Sequence, residues 1–179
     1  MGRDDGAAPP PDTEMGSAPA SSPSDLSRPE TVLLIGLQGS GKSTFYRERF
    51  FATHVRINLD MLRTRRREVL LLDACLAGGT PFVVDNTNAT ITARARYLML
   101  ARAAGFRLVG YYFDVPIALC LARNAARPTG ERVPPVGIYG TRKRLQPPTL
   151  EEGFDALYRV TIGEQGALTV APLALPGSA

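Results

Sequence analysis

The stretch GLQGSGKST, from Gly36 to Thr44, constrains the fold more than any other part of the chain. It fits the spacing G-x-x-x-x-G-K-[ST], follows the apolar run TVLLI at 31–35, and precedes a helical stretch at 43–51. In that setting glycines let successive backbone N–H groups turn inward around a phosphate, and the helix N-terminus adds its dipole. Gly36, Gly39, Ser40 and Gly41 shape such a loop, Lys42 reaches the β- and γ-phosphates, Ser43 ligates Mg²⁺, and Thr44 lies against the α-phosphate. An ordinary glycine-rich turn has no need of all four fixed positions. The motif therefore implies ATP and Mg²⁺ as cofactors, but it leaves the phosphoryl acceptor open, because such loops serve motors, switches and kinases alike.

Strand and helix alternate along the rest of the chain. Extended runs are expected at 31–35, 54–59 (HVRINL), 81–85 (PFVVD) and 106–115 (FRLVGYYFDV). Helices are expected at 43–51, at 61–76 with Val69, Leu72 and Leu76 on one face, at 90–104 ended by Gly105, and from Pro116 to Arg127. The Pro- and Gly-rich segment that follows reads as a lid over about 127–146, with a short helix at 136–145, and Thr149 and Glu152 have capping-box spacing. LYRVTI and ALTVAP flank a turn at 163–166 and read as a closing hairpin. This pattern gives an α/β class with a mostly parallel sheet and flanking helices.

Residues 1–30 are dense in Pro, Ser, Ala and Gly and lack an apolar period, so they read as a disordered leader before a single domain at 31–179. The leader carries Arg3 and Arg28 against six carboxylates, a net of −4, which leaves +8 on the domain out of the whole-chain +4. A surplus of that sign suits a phosphate-bearing partner, while solvated arginines are the plainer account. No secretory signal or membrane-length apolar run occurs, so a cytoplasmic protein with no membrane partner is expected. Cys75 and Cys120 have no metal spacing and read as buried, reduced thiols.

In an open parallel sheet the ligand lies beyond the carboxyl ends of the strands, which brings the ends of the second and third strands to face the phosphate loop. Asp60 and Asp85 stand there. Asp60 is the candidate general base for an attacking hydroxyl, although it could also cap the helix expected from Met61. Arg63, three residues on, could grip an acceptor phosphate from the same side. Asp85 ends an apolar strand in the manner of a Walker B carboxylate holding Mg²⁺ through water, followed by the hydrogen-bonding residues Asn86, Thr87 and Asn88. LARNAAR puts Arg123 and Arg127 at i and i+4, where two guanidinium groups beside a lid can neutralise a transferring phosphoryl group.

Together GLQGSGKST, NLDMLR, VVDNTN, GYYFDVP, LARNAAR and the tail VGIYGTRKRLQPPTLEEGF resemble the kinase domain of the polynucleotide kinase-phosphatase family, most closely its animal-type branch. The resemblance runs from about Thr31 to Val160. It implies an adenylate-kinase-like P-loop NTPase fold and transfer of the ATP γ-phosphate to a 5′-hydroxyl of DNA or RNA. By the same resemblance Asp60 matches the general base, Arg63 an arginine that contacts the acceptor 3′-phosphate, Lys42 and Ser43 the loop lysine and metal-binding serine, Arg127 the transition-state arginine and Arg123 a nucleotide contact. Either Asp85 or Asn86 falls on the family's aspartate of the third strand end. The D-x-D-x-T motif of the family's phosphatase modules is missing, which implies a kinase acting alone, with a separate phosphatase or ligase as partner. Two other readings stay open, a P-loop kinase of a small hydroxylated metabolite or antibiotic and a non-catalytic ATP-binding switch.

Overall fold

The computed structural model describes residues 28–163 and 166–173, so the leader lies outside the described residues except for its last three, as do two residues of the 163–166 turn. Arg28, the first described residue, donates through its guanidinium to the carbonyls of Gly105 (3.1 Å) and Phe106 (2.6 Å). The chain then runs β1 (Glu30–Gly36), α1 (Lys42–Arg49), β2 (Val55–Ile57), α2 (Leu59–Leu62), α3 (Arg65–Ala77) and β3 (Phe82–Val84). It continues through α4 (Ile91–Ala103), β4 (Arg107–Phe113), α5 (Ile117–Ala125), α6 (Pro135–Arg144), β5 (Ala156–Ile162) and β6 (Leu168–Pro172), with 3-10 turns at Thr129–Glu131 and Leu150–Glu152.

One six-stranded sheet has the order β2-β3-β1-β4-β5-β6, parallel throughout except for the last pair. The closing hairpin is present as the antiparallel β5–β6 pair, with Ile162 opposite Leu168. Because successive residues of a strand face opposite ways, β1 feeds two cores at once. Leu33 and Ile35 pack with Leu72, Cys75, Tyr97 and Leu98 of α3 and α4, while Val32 and Leu34 pack with Phe45, Tyr46 and Cys120 of α1 and α5. Both cysteines are free and buried on helices, as expected. Among the described residues no helix is long and apolar enough to cross a membrane.

One helix departs from expectation. The single helix expected at 61–76 is two, α2 and α3, separated at Arg63, which takes a left-handed φ of 69° and closes α2 with its N–H on the Leu59 carbonyl. Thr64 then starts α3 afresh, its hydroxyl accepting from the Arg67 N–H at 3.3 Å. The break rotates the apolar stripe. Leu72 and Cys75 face the core with Glu68, while Val69 is 42% exposed instead of buried.

The segment read from the sequence as a lid is tied to α5. Asn124 on α5 brackets Val133, its Nδ2 donating to the Val133 carbonyl (2.8 Å) and its Oδ1 accepting from the Val133 N–H (3.0 Å). Beyond α6, the wholly buried Arg94 donates to both carboxylate oxygens of Glu152 at 2.6 Å each, and also to the carbonyls of Asn88 and Gln146 at 3.0 Å. Glu152 also accepts from the Thr149 N–H (3.1 Å), completing the capping box read from the sequence. The segment that follows α6 is thereby locked to α4.

Candidate active site

An open cleft of about 720 Å³ lies over the carboxyl ends of β1, β2 and β3. The phosphate loop forms its floor through Gln38, Gly39, Gly41, Lys42, Ser43 and Thr44. Gly36 and Ser40 stand behind that floor: Gly36 accepts from Lys42 through its carbonyl, and Ser40 is wholly buried. Gly39 cannot be another residue. Its φ is 78°, and a Cβ there would sit 2.4 Å from the Cys120 carbonyl oxygen. The loop is thus pressed against the start of α5, the helix that carries Arg123.

Lys42 folds back over the loop, its Nζ donating to the carbonyls of Gly36 (2.9 Å) and Leu37 (2.5 Å). Burial pushes this ammonium down from 10.5 to about 8, against the opposing pull of Asp85.

The facing wall is built from the ends of β2 and β3. Asn58 caps α2, its Oδ1 accepting from the Met61 N–H at 3.0 Å, while its Nδ2 donates to the Asp85 carbonyl. Asn86 Oδ1 accepts from the Leu59 N–H (3.0 Å), and its Nδ2 donates to Glu68 (3.1 Å) and Tyr97 (3.4 Å). These ties hold the first turn of α2 against β3. Asp60, within that turn, is relieved of the capping role the sequence left open to it. It lines the cleft, is exposed, and accepts no hydrogen bond among the described residues.

Glu68 anchors the tie from behind. It is wholly buried, accepting from Tyr97 OH (2.6 Å) and Arg65 Nη1 (2.7 Å). Burial pushes its carboxyl up, yet the hydrogen bonds from Tyr97 and Arg65 win and hold it below the usual range. Nothing in the helical spacing marks Glu68 as buried, because the expected stripe ran through Val69.

Asp85 is 3% exposed. Its Oδ2 accepts from Ser43 Oγ (2.9 Å) and from both Nε (2.9 Å) and Nη2 of Arg56, and Arg56 Nη2 also donates to Ser43 Oγ at 3.0 Å. Ser43 and Asp85 therefore converge, as their sequence positions predict, and they present hard oxygen donors suited to Mg²⁺. Asn86 also lines the cleft, but its side chain is spent on Leu59, Glu68 and Tyr97.

Arg123 and Arg127 line the same cleft as Asp60. Arg127 lies just past α5 rather than within it, so its place is set by the chain's turn toward the lid and not by i, i+4 helical spacing alone. Gly166, Ala167 and Leu168, at the start of β6, close the remaining side, and Leu168 lies against both Gly41 and the cleft. Arg63 is not among the lining residues: the left-handed turn carries it outside the helix that holds Asp60, onto an exposed surface.

Comparison with known proteins bears on the family and the fold. Residues 67–148 match a family model described as an AAA domain. The chain is 28% identical over 129 residues to the bifunctional polynucleotide phosphatase/kinase of Schizosaccharomyces pombe, covering 70% of this chain and 32% of that protein. A similarly described protein of Acanthamoeba polyphaga mimivirus is 30% identical over 139 residues, covering 74% of this chain and 33% of that one. The chain thus spans about a third of the length of the curated relatives it matches. Among solved structures, a gluconokinase from Sinorhizobium meliloti aligns with a TM-score of 0.52 at 19% identity, over 74% of this chain and 82% of that one. Chaetomium thermophilum Kti12 in complex with ADP-AlF3 aligns with a TM-score of 0.56 at 14% identity, over 73% and 88%. The fold is that of P-loop NTPases, and the resemblance of the sequence motifs to polynucleotide kinase-phosphatases is borne out by the two curated relatives.

Proposed function

We propose that the chain is an ATP-dependent polynucleotide 5′-hydroxyl kinase, moving the γ-phosphate of ATP onto the 5′-OH end of DNA or RNA. The observation that carries this reading is Asp60. Its carboxylate is held at the cleft by a helix turn that Asn58 caps, and it lines the same cleft as the phosphate loop with no hydrogen-bond partner among the described residues. An attacking hydroxyl needs such a group to orient it and accept its proton. In the transfer, the acceptor oxygen forms a bond to the γ-phosphorus, the bridging bond to ADP breaks, and the hydroxyl proton passes to Asp60. Lys42 binds the leaving diphosphate side, and Arg123 and Arg127 stand where they can offset charge on the transferred group. Ser43 and Asp85 would hold Mg²⁺, which when bound offsets phosphate charge.

The polynucleotide acceptor is supported by the two relatives named for polynucleotide phosphatase/kinase activity and by the +8 charge of residues 31–179. A separate phosphatase or ligase would complete end repair. One observation favours a second reading, a kinase of a small hydroxylated metabolite: Arg63, the arginine expected at the acceptor phosphate, does not line the cleft. Incubation with Mg²⁺, labelled ATP, 5′-hydroxyl oligonucleotides and a panel of small hydroxylated metabolites decides between them. Label on oligonucleotides, with binding that weakens steeply as salt rises, is the expected result. Label on metabolites alone sinks the polynucleotide reading, and label on neither favours an ATP-binding switch.

A further inference from the structure

Arg56 is not among the residues that line the cleft, yet it is ion-paired to Asp85, which is. It projects from the middle of β2, with Nε and Nη2 both donating to Asp85 Oδ2 and Nη2 reaching Ser43 Oγ at 3.0 Å. One guanidinium nitrogen therefore bridges the two oxygens that a divalent ion would use. The Arg56 side chain remains 28% exposed while that of Asp85 is 2% exposed, so the cation can withdraw but the anion cannot. The ring of Tyr46 lies 5.3 Å from the Arg56 guanidinium carbon and offers that cation a second favourable surface.

We propose that Arg56 is the resident counter-cation of the Ser43–Asp85 pair and sets the Mg²⁺ concentration needed for tight nucleotide binding. With the cradle empty, Arg56 neutralises a buried carboxylate that would otherwise be uncompensated. When Mg²⁺ and a nucleotide enter, the guanidinium must leave both oxygens, and that exchange raises the Mg²⁺ requirement. Arg56 is a positioning residue here, since it acts through Ser43 and Asp85. The inference rests on the nucleotide-site reading given above.

The test measures ADP binding by calorimetry on the full chain while Mg²⁺ is titrated, with no phosphoryl transfer involved. Arg56→Gln is expected to lower the Mg²⁺ midpoint about tenfold, the equivalent of about 1.4 kcal/mol. The same variant should melt lower in chelator and gain more from added Mg²⁺ than the unaltered protein, because Asp85 has lost its partner. Arg56→Lys keeps the charge but lacks the second nitrogen that donates to Asp85, and it should lower the midpoint about threefold, which preserves the test if the glutamine variant does not fold. A midpoint unchanged or raised in a folded variant overturns the inference alone. No ADP binding by the unaltered protein overturns the nucleotide-site reading as well.

Discussion

Lys42 gives the sharpest quantitative test of the phosphate cradle. With the site empty its ammonium titrates at about 8, because burial withdraws it from water and Asp85 only partly compensates. Nucleotide phosphates bind the ammonium form, so above pH 8 each binding event must take up a proton. At pH 9 about one lysine in ten is still charged, and ADP should bind about tenfold more weakly than at pH 7, a loss of about 1.4 kcal/mol. The phosphates themselves do not confuse the measurement, since a phosphate monoester loses its last proton near pH 6, roughly two units lower. Calorimetry in two buffers of different ionisation enthalpy reads the proton count directly: it should rise from about 0.1 per ADP at pH 7 to about 0.9 at pH 9. Constant affinity and no proton uptake over that range would refute the argument that Lys42 is desolvated and that its charge grips the phosphates. The same group leaves a mark on stability. A lysine whose folded value falls below its unfolded 10.5 makes the unfolded chain hold more protons between about pH 8 and 10.5. Its contribution to stability therefore rises with pH across that window, by at most about 1.4 kcal/mol per unit, and is least below pH 8.

Three further substitutions probe the site and its frame. Asp60→Asn should reduce phosphoryl transfer by at least about a hundredfold while leaving ADP affinity within about twofold, measured by labelled-ATP transfer and calorimetry; lost ADP binding would make Asp60 structural instead. Gly39→Ala forces a Cβ to 2.4 Å from the Cys120 carbonyl oxygen at a φ of 78°, so ADP binding should vanish even where circular dichroism shows a folded chain. Arg94→Ala strips the partner from Glu152, whose side chain is 7% exposed, and should cost about 3–5 kcal/mol in denaturant unfolding, whereas a cost under about 1 kcal/mol would show the pair to be a surface ornament.

The sheet, its flanking helices and the phosphate loop were legible in the sequence because each rests on local pattern. A β-branched run followed by the loop spacing dictates the strand–turn–helix at Glu30–Arg49, and Thr90, Gly105 and Pro116 punctuate helices with their own hydrogen-bonding or φ preferences. The convergence of Ser43 with Asp85, and of Asp60 with the loop, followed from the rule that ligands lie beyond strand ends. What stayed hidden depends on partners distant in the chain. Glu68 looks like one more charge in an arginine-rich helix until Tyr97, 29 residues away, meets it. Arg56 lies in a strand, and its tie to Asp85 appears only when β2 and β3 pair with Ile57 opposite Val84.

The break at Arg63 joins these two levels. Helical periodicity carries 61–76 through without interruption, so the sequence leaves Asp60, the candidate base, open to a capping role as well, and places Arg63 one turn above it on the same face. In the structure Asn58 takes the cap, and it can do so because its amide also spans to the Asp85 carbonyl, a contact made only after β3 is in place. With Asn58 capping α2 and Thr64 capping α3, each helix end has its own hydrogen-bond partner, and the left-handed Arg63 between them makes the corner. The consequence for chemistry is a division of labour. Asp60 gains a free carboxylate at the cleft, and Arg63 moves out to the protein surface, where it would meet an acceptor long enough to extend beyond the cleft and would have no role toward a small one. Arg63→Ala therefore separates the two acceptor readings: it should weaken transfer to an oligonucleotide bearing a phosphate next to its 5′-hydroxyl end and leave ADP binding unchanged. Equal transfer by the variant and the unaltered protein would remove Arg63 from the acceptor site and leave Asp60 as the acceptor-side residue drawn from that stretch of sequence.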